Sequence, residues 1–116
     1  MNEFYTPYDI VWIKNVTNKE TGVAYMNEPD DFILHISNQF KNEILKPKVG
    51  EIILLYQNIR GKGKAFTHLV IPVNNIKEDT KRENFSFGRK VQTIALADND
   101  NFIYIQDTIW KNVDFK

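Results

Sequence analysis

Two histidines, His35 and His68, are the residues of this chain most capable of acid–base chemistry near neutral pH. Each lies inside an apolar run, DFILHIS and AFTHLVIPV. A Ser-His-Asp arrangement needs one of them exposed beside a nucleophile, and nothing local supplies that. The Asp30–Asp31 pair could serve as acid partner in a small hydrolase or nuclease. A two-histidine metal site with Glu51 or Asp31 is conceivable, but neither spacing is diagnostic. The favoured placement for both imidazoles is structural, with no metal and no cofactor expected.

The second group is cationic. In YQNIRGKGKAFTHLV, Arg60, Lys62 and Lys64 sit in a glycine-containing loop between two hydrophobic runs. The loop lacks the terminal Lys-Ser/Thr of a P-loop and the third glycine of a dinucleotide fingerprint, and no helix follows it. Gly61 and Gly63 are expected to supply positive-φ positions in a hairpin turn. The three cations can still meet phosphates as point charges. Arg82, Arg89 and Lys90 flank FSFG, where aromatics among cations suit single-strand binding by stacking and charge. The ordinary alternative is a charged loop folded onto the core. Of the aromatics Trp12, Tyr56, Phe66, Tyr104 and Trp110, most should fill the core. Trp12, Trp110 and Tyr56 are the candidates for stacking on a base.

Strand-like stretches position these groups. Tyr8–Val16, Val23–Met26, Asp31–Ser37, Gly50–Gln57, Ala65–Val73, Lys90–Ala97 and Phe102–Gln106 are β-branched and aromatic, with turn-prone segments between them. GEIILLYQ is apolar on both faces, as in a central strand. Asn38–Lys48 predicts the one clear helix, capped by Asn38, stopped by Pro47, with Phe40, Ile44 and Leu45 on one face. The segment from Asn74 to Lys90 predicts a solvated loop or a short helix. Ile53, Leu55, Phe66, Leu69, Val91 and Ile103 are expected to share one core.

Length and composition set the outer bounds. The 116 residues suffice for one domain with a single core. Fifteen basic and fifteen acidic side chains leave no net charge, so any nucleic-acid binding must rest on a local patch. The absence of cysteine excludes disulfides, cysteine-rich zinc sites and thiol catalysis. The first residues do not read as a secretory signal, and apolar runs such as IILLY are too short to cross a bilayer. A cytoplasmic protein without membrane contact is expected.

The order strand, short helix, Pro47, then VGEIILLY resembles the PUA-like superfamily, especially its EVE and ASCH branches, over Asn38 to Val73. The chain lacks the W-G-V-R-N segment of EVE domains and the G-x-K-x-x-x-x-R motif of ASCH domains. The resemblance implies a small PUA-like β-barrel, and PUA-like domains generally bind nucleic acid, EVE-like members looking for modified bases. The expectation is therefore a mainly β (α+β) single domain of about six strands with one or two short helices. Its expected function is non-catalytic nucleic-acid binding, including of a modified base. A protein-interaction or regulatory module is the alternative, and a small hydrolase or nuclease the second.

Overall fold

In the computed structural model, residues 9–16, 24–25, 28–59, 63–97 and 103–104 are described, Lys41 and residues 103–104 by backbone alone. Seven strands form one mixed sheet: β1 (Ile10–Asn15), β2 (Asp31–Ile36), β3 (Ile52–Ile59), β4 (Gly63–Pro72), β5 (Glu78–Asp79), β6 (Phe87–Leu96) and β7 (Ile103–Tyr104). The main path runs β1-β3-β4-β6-β2, with β5 on β6 and β7 on β4. The β1–β3 pair is parallel and the other pairs are antiparallel. The chain is mainly β, as the strand-like patterning predicts. Closure is a different matter: among the described residues β1 and β2 end the path without pairing, so the sheet is open and not a closed barrel.

The apolar run of β3 explains the layout. Successive side chains of a strand point to opposite faces. Ile53 and Leu55 join Val16, Ala24, Phe32, Leu34, Val70 and Val91 on one face, with Trp12 and Tyr25 packed against them. Leu54 and Tyr56 join Phe66 and Leu69 on the other, with Ile10, Ile13, Ile52, Ile94 and Ala95 beside them. Two cores thus replace the single expected one: Ile53, Leu55 and Val91 belong to the first, Phe66 and Leu69 to the second. The side chain of Ile103 lies outside the described residues.

A bulge between Leu55 and Tyr56 shifts the β3–β4 register, so that Leu55 faces His68 while Tyr56 faces Phe66. At the far end Asn58 pairs with Lys64 and Ile59 with Gly63, whose φ is 106°. β3 and β4 are therefore antiparallel on either side of residues 60–62, and Gly63 takes the positive-φ place expected of it. Gly61 lies outside the described residues. On β6, Gly88 allows β2 to approach closely: a Cβ there would lie 2.5 Å from Ile33 Cγ2 and 2.9 Å from the Leu34 carbonyl oxygen.

The expected helix is a 3-10 helix, Asn38–Leu45, kinked at Phe40 (φ −113°, ψ 22°). Three residues per turn do not bring positions four apart onto one face. Ile44 is accordingly buried, whereas Phe40 is 52 % and Leu45 42 % exposed, a correction to the shared face predicted from α-helical spacing. Ser37, not Asn38, stands at the N-cap; the Asn38 carboxamide oxygen accepts from the Ser86 backbone N–H at 2.9 Å instead. Glu78–Asp79 forms a short strand and β6 starts at Phe87, within the stretch expected to be a loop or short helix. Among the described residues no helix is long and apolar enough to cross a membrane.

Candidate functional site

The 3-10 helix crosses the first face of the sheet and leaves a cleft of about 490 Å³ beneath it. β1 contributes Trp12, Ile13, Lys14 and Asn15 to the lining; β2 contributes Leu34 and Ile36; Ile53, Val91 and Arg89 come from β3 and β6. Phe40, Glu43, Ile44, Lys46 and Pro47 form the helix side. Volume and an apolar lining with few polar groups are what small-ligand sites have in common.

Arg89 builds this cleft. It is 1 % exposed. Its Nε donates to the Asn74 carbonyl at 2.8 Å and its Nη2 to Asn75 Oδ1 at 2.9 Å. Nη1 donates to the carbonyls of Ile44, at 3.3 Å, and Pro47. One guanidinium thus ties the end of the 3-10 helix and the turn after β4 to β6. Its donors are spent on three backbone carbonyls and the Asn75 side chain, which corrects its expected role as a phosphate contact. Trp12 is also pinned. Its indole Nε1–H donates to Glu51 Oε1 at 3.1 Å, and that oxygen also accepts the Lys48 backbone N–H at 2.7 Å. The Lys48 N–H and the indole hold the Glu51 carboxyl below the usual carboxylate range. The ring is half-buried and lines the cleft, as a stacking surface must.

Among the charged groups of the lining, Glu43 and Lys46 pair with each other. Lys14 is different. It is half-buried, no described residue bonds to its ammonium, and burial pushes its pKa down. Sequence reasoning passed over it because a lysine in a β-branched run reads as a solvated side chain. Its position two residues after Trp12, on the same strand face, was the available signal.

Tyr56 does not offer a face to a base: it is buried in the second core, with Lys64 Nζ 5.9 Å from its ring centroid. Trp110, Arg60 and Lys62 lie outside the described residues. Lys64, Arg82 and Lys90 are exposed. Pro72 pairs with Val91, next to Lys90, while Lys64 lies eight residues back along β4, about 26 Å away at ~3.3 Å per residue. Lys64 and the Arg82–Lys90 region therefore stand toward opposite ends of the sheet. Arg82 stacks over exposed Phe85 at 5.9 Å, and Lys77 over Phe87 at 5.2 Å.

Neither histidine enters the cleft lining described above. His68 is buried within a polar knot. Its Nε2 lies 3.2 Å from the Tyr25 carbonyl, which can only accept, so Nε2 carries the proton. Nδ1 then accepts from the Thr67 hydroxyl at 2.7 Å. Gln57 Nε2 donates to that hydroxyl at 3.2 Å and to the Ala24 carbonyl at 3.1 Å; Gln57 Oε1 accepts the Ala24 N–H at 2.7 Å. Burial lowers the His68 pKa, keeping the ring neutral. His35 donates from Nδ1 to the Phe85 carbonyl at 2.9 Å, and burial, then Arg82, lower its pKa. Both rings hydrogen-bond groups other than carboxylates, which is not the pairing a hydrolase reading needs. Among the described residues no cluster of His, Asp and Glu could hold a metal ion.

Comparisons with protein-family models, curated proteins and solved structures return no match, so the cleft is interpreted from its own residues.

Proposed function

We propose that this domain is a non-catalytic binding module for single-stranded nucleic acid, taking one unstacked base into the cleft beneath the 3-10 helix. The observation that carries this reading is Trp12: a half-buried indole, fixed by Glu51, lining a cleft of about 490 Å³. A base held by an aromatic face in a dry site gains stacking that is about 1–3 kcal/mol per base. Lys14 stands in the same lining and meets the backbone, taking the role expected of the hairpin cations. The similarity of residues 38–73 to the PUA-like superfamily favours the same partner. Exposed Phe40 and Leu45 on the helix that borders the cleft favour a second reading, an apolar protein partner.

The test is a fluorescence-anisotropy titration with single- and double-stranded oligonucleotides, plain and base-modified, at two salt concentrations. Single strands are expected to bind better, with a log–log salt slope of roughly −0.7 for one phosphate contact. Trp12→Ala should weaken binding about tenfold and reduce discrimination between bases. Absence of salt-sensitive binding at low ionic strength overturns the nucleic-acid reading and moves the weight to a protein partner.

A further inference from the structure

Three of the four charged residues in the cleft lining are already satisfied. Arg89 is bonded to Asn74, Asn75, Ile44 and Pro47, and Glu43 is paired with Lys46. Lys14 is the exception among the described residues. It lines the cleft together with Trp12, Leu34 and Ile53, and stands two residues after Trp12 on the same face of β1. An ammonium drawn from water without a counter-charge is costly, and an arriving anion removes that cost. We propose that Lys14 is the anion-anchoring residue of the cleft, pairing with the phosphate attached to a base-bearing nucleotide whose ring lies along Trp12. This rests on the nucleic-acid reading and narrows it: the unit recognised is a base together with its own phosphate.

The pairing has a linked consequence. Burial lowers the Lys14 pKa in the free protein, and a phosphate beside the ammonium raises it. The other charged groups lining the cleft are Glu43 and Lys46 on the 3-10 helix and Arg89 on β6. Arg89 stays a cation throughout, and the Glu43–Lys46 pair is internally neutralised. Affinity for a phosphate therefore falls as pH rises through the lowered Lys14 pKa, below the range in which exposed lysines titrate.

The experiment compares a nucleoside with its 5′-monophosphate, using adenosine and AMP and following tryptophan fluorescence in a Trp110→Phe background. Wild type, Lys14→Met and Lys14→Arg are titrated. In parallel, ¹³C-dimethylated lysines are titrated by NMR, the Lys14 resonance being the one lost in Lys14→Met. The expected result is that AMP binds more tightly than adenosine. Lys14→Met should lose about tenfold for AMP and nothing for adenosine, and Lys14→Arg should retain most of the affinity. The Lys14 resonance should titrate below the other lysines when free and move up with AMP. If Lys14→Met binds AMP as wild type does while the fluorescence still reports an occupied cleft, the anchoring role fails and the binding reading stands. If neither ligand nor an oligonucleotide binds, and the Lys14 titration is unmoved by AMP, both fall.

Discussion

His68 and Lys14 are polar groups drawn out of water on the same face of one sheet, and the protein treats them oppositely. Around His68 every neighbouring polar atom has a partner: Gln57, Thr67 and the Ala24–Tyr25 backbone form a closed set of donors and acceptors. Lys14 has none among the described residues. A completed set fixes one conformation, here by holding Ala24 and Tyr25 against the sheet, and leaves nothing over for a ligand. A group left open in an apolar cleft is unfavourable for stability and available for recognition. The distinction separates a structural histidine from a binding lysine more sharply than residue type does.

The largest effect is expected from Arg89, which ties the 3-10 helix and the turn after β4 to the sheet beside the Lys14 cleft. Arg89→Leu leaves the buried Ile44 carbonyl and the part-buried Asn74 and Pro47 carbonyls without their donor and should cost about 3–5 kcal/mol. Urea unfolding measures it. Arg89→Lys should not rescue, because one ammonium cannot span the same fork of acceptors. A near-neutral Arg89→Leu would mean that the cleft's walls are held by packing instead.

A smaller effect is expected from pH. The folded pKa values of His68 and His35 lie below the ordinary value of 6.5. Between that value and the folded pKa the unfolded chain binds protons that the folded chain does not. Stability is therefore constant above the ordinary value and falls as pH drops below it, by at most about 1.4 kcal/mol per pH unit for each histidine. Glu51 and Asp79, with lowered carboxyl pKa values, act in a separate and more acidic window. Urea midpoints across pH 5 to 8 (roughly the span in which histidine titrates) check the slope, and His68→Gln should reduce it. An unchanged slope in that variant would assign the dependence to His35.

The smallest effect has the opposite sign. Lys14→Met removes a desolvated charge that has no partner among the described residues, while keeping an apolar stem of similar length. It should raise stability by about 0.5–1 kcal/mol, read as a higher melting temperature. A destabilised Lys14→Met would show that the ammonium has a structural partner after all and would erase the contrast with His68.

The legible part of this molecule lies in short-range pattern. Alternation in DFILHIS and the doubly apolar IILLY gave strands where strands are found, because a strand's side-chain period is a local property. The positive φ of Gly63 was legible for the same reason, since a glycine is what such a backbone position takes whatever surrounds it. The helix was only half legible. Its position follows from the residues before Pro47, but its 3-10 winding, and so the exposure of Phe40 and Leu45, does not. Trp12 could be singled out as a stacking residue because a large amphipathic ring is rarely wholly buried.

The roles of the charged residues could not be read in this way. Arg89 and Lys90 are adjacent in a cationic stretch, yet one is buried under four acceptor groups and the other is exposed. Alternation assigns them to opposite faces, but only the tertiary structure places the carbonyls of Ile44, Pro47 and Asn74 around one of those faces. The same holds for Lys14 and for the separation of Lys64 from Lys90. The sequence by itself determined which segments extend, where the chain turns and which faces are apolar, since those depend on a residue and its near neighbours. Tertiary structure alone decided that the sheet is open among the described residues, that its apolar residues divide into two cores, and which cation is spent inside the protein and which lines a cleft. A charge's role depends on what lies within a few ångströms of it, and the groups around these cations come from parts of the chain far apart in sequence.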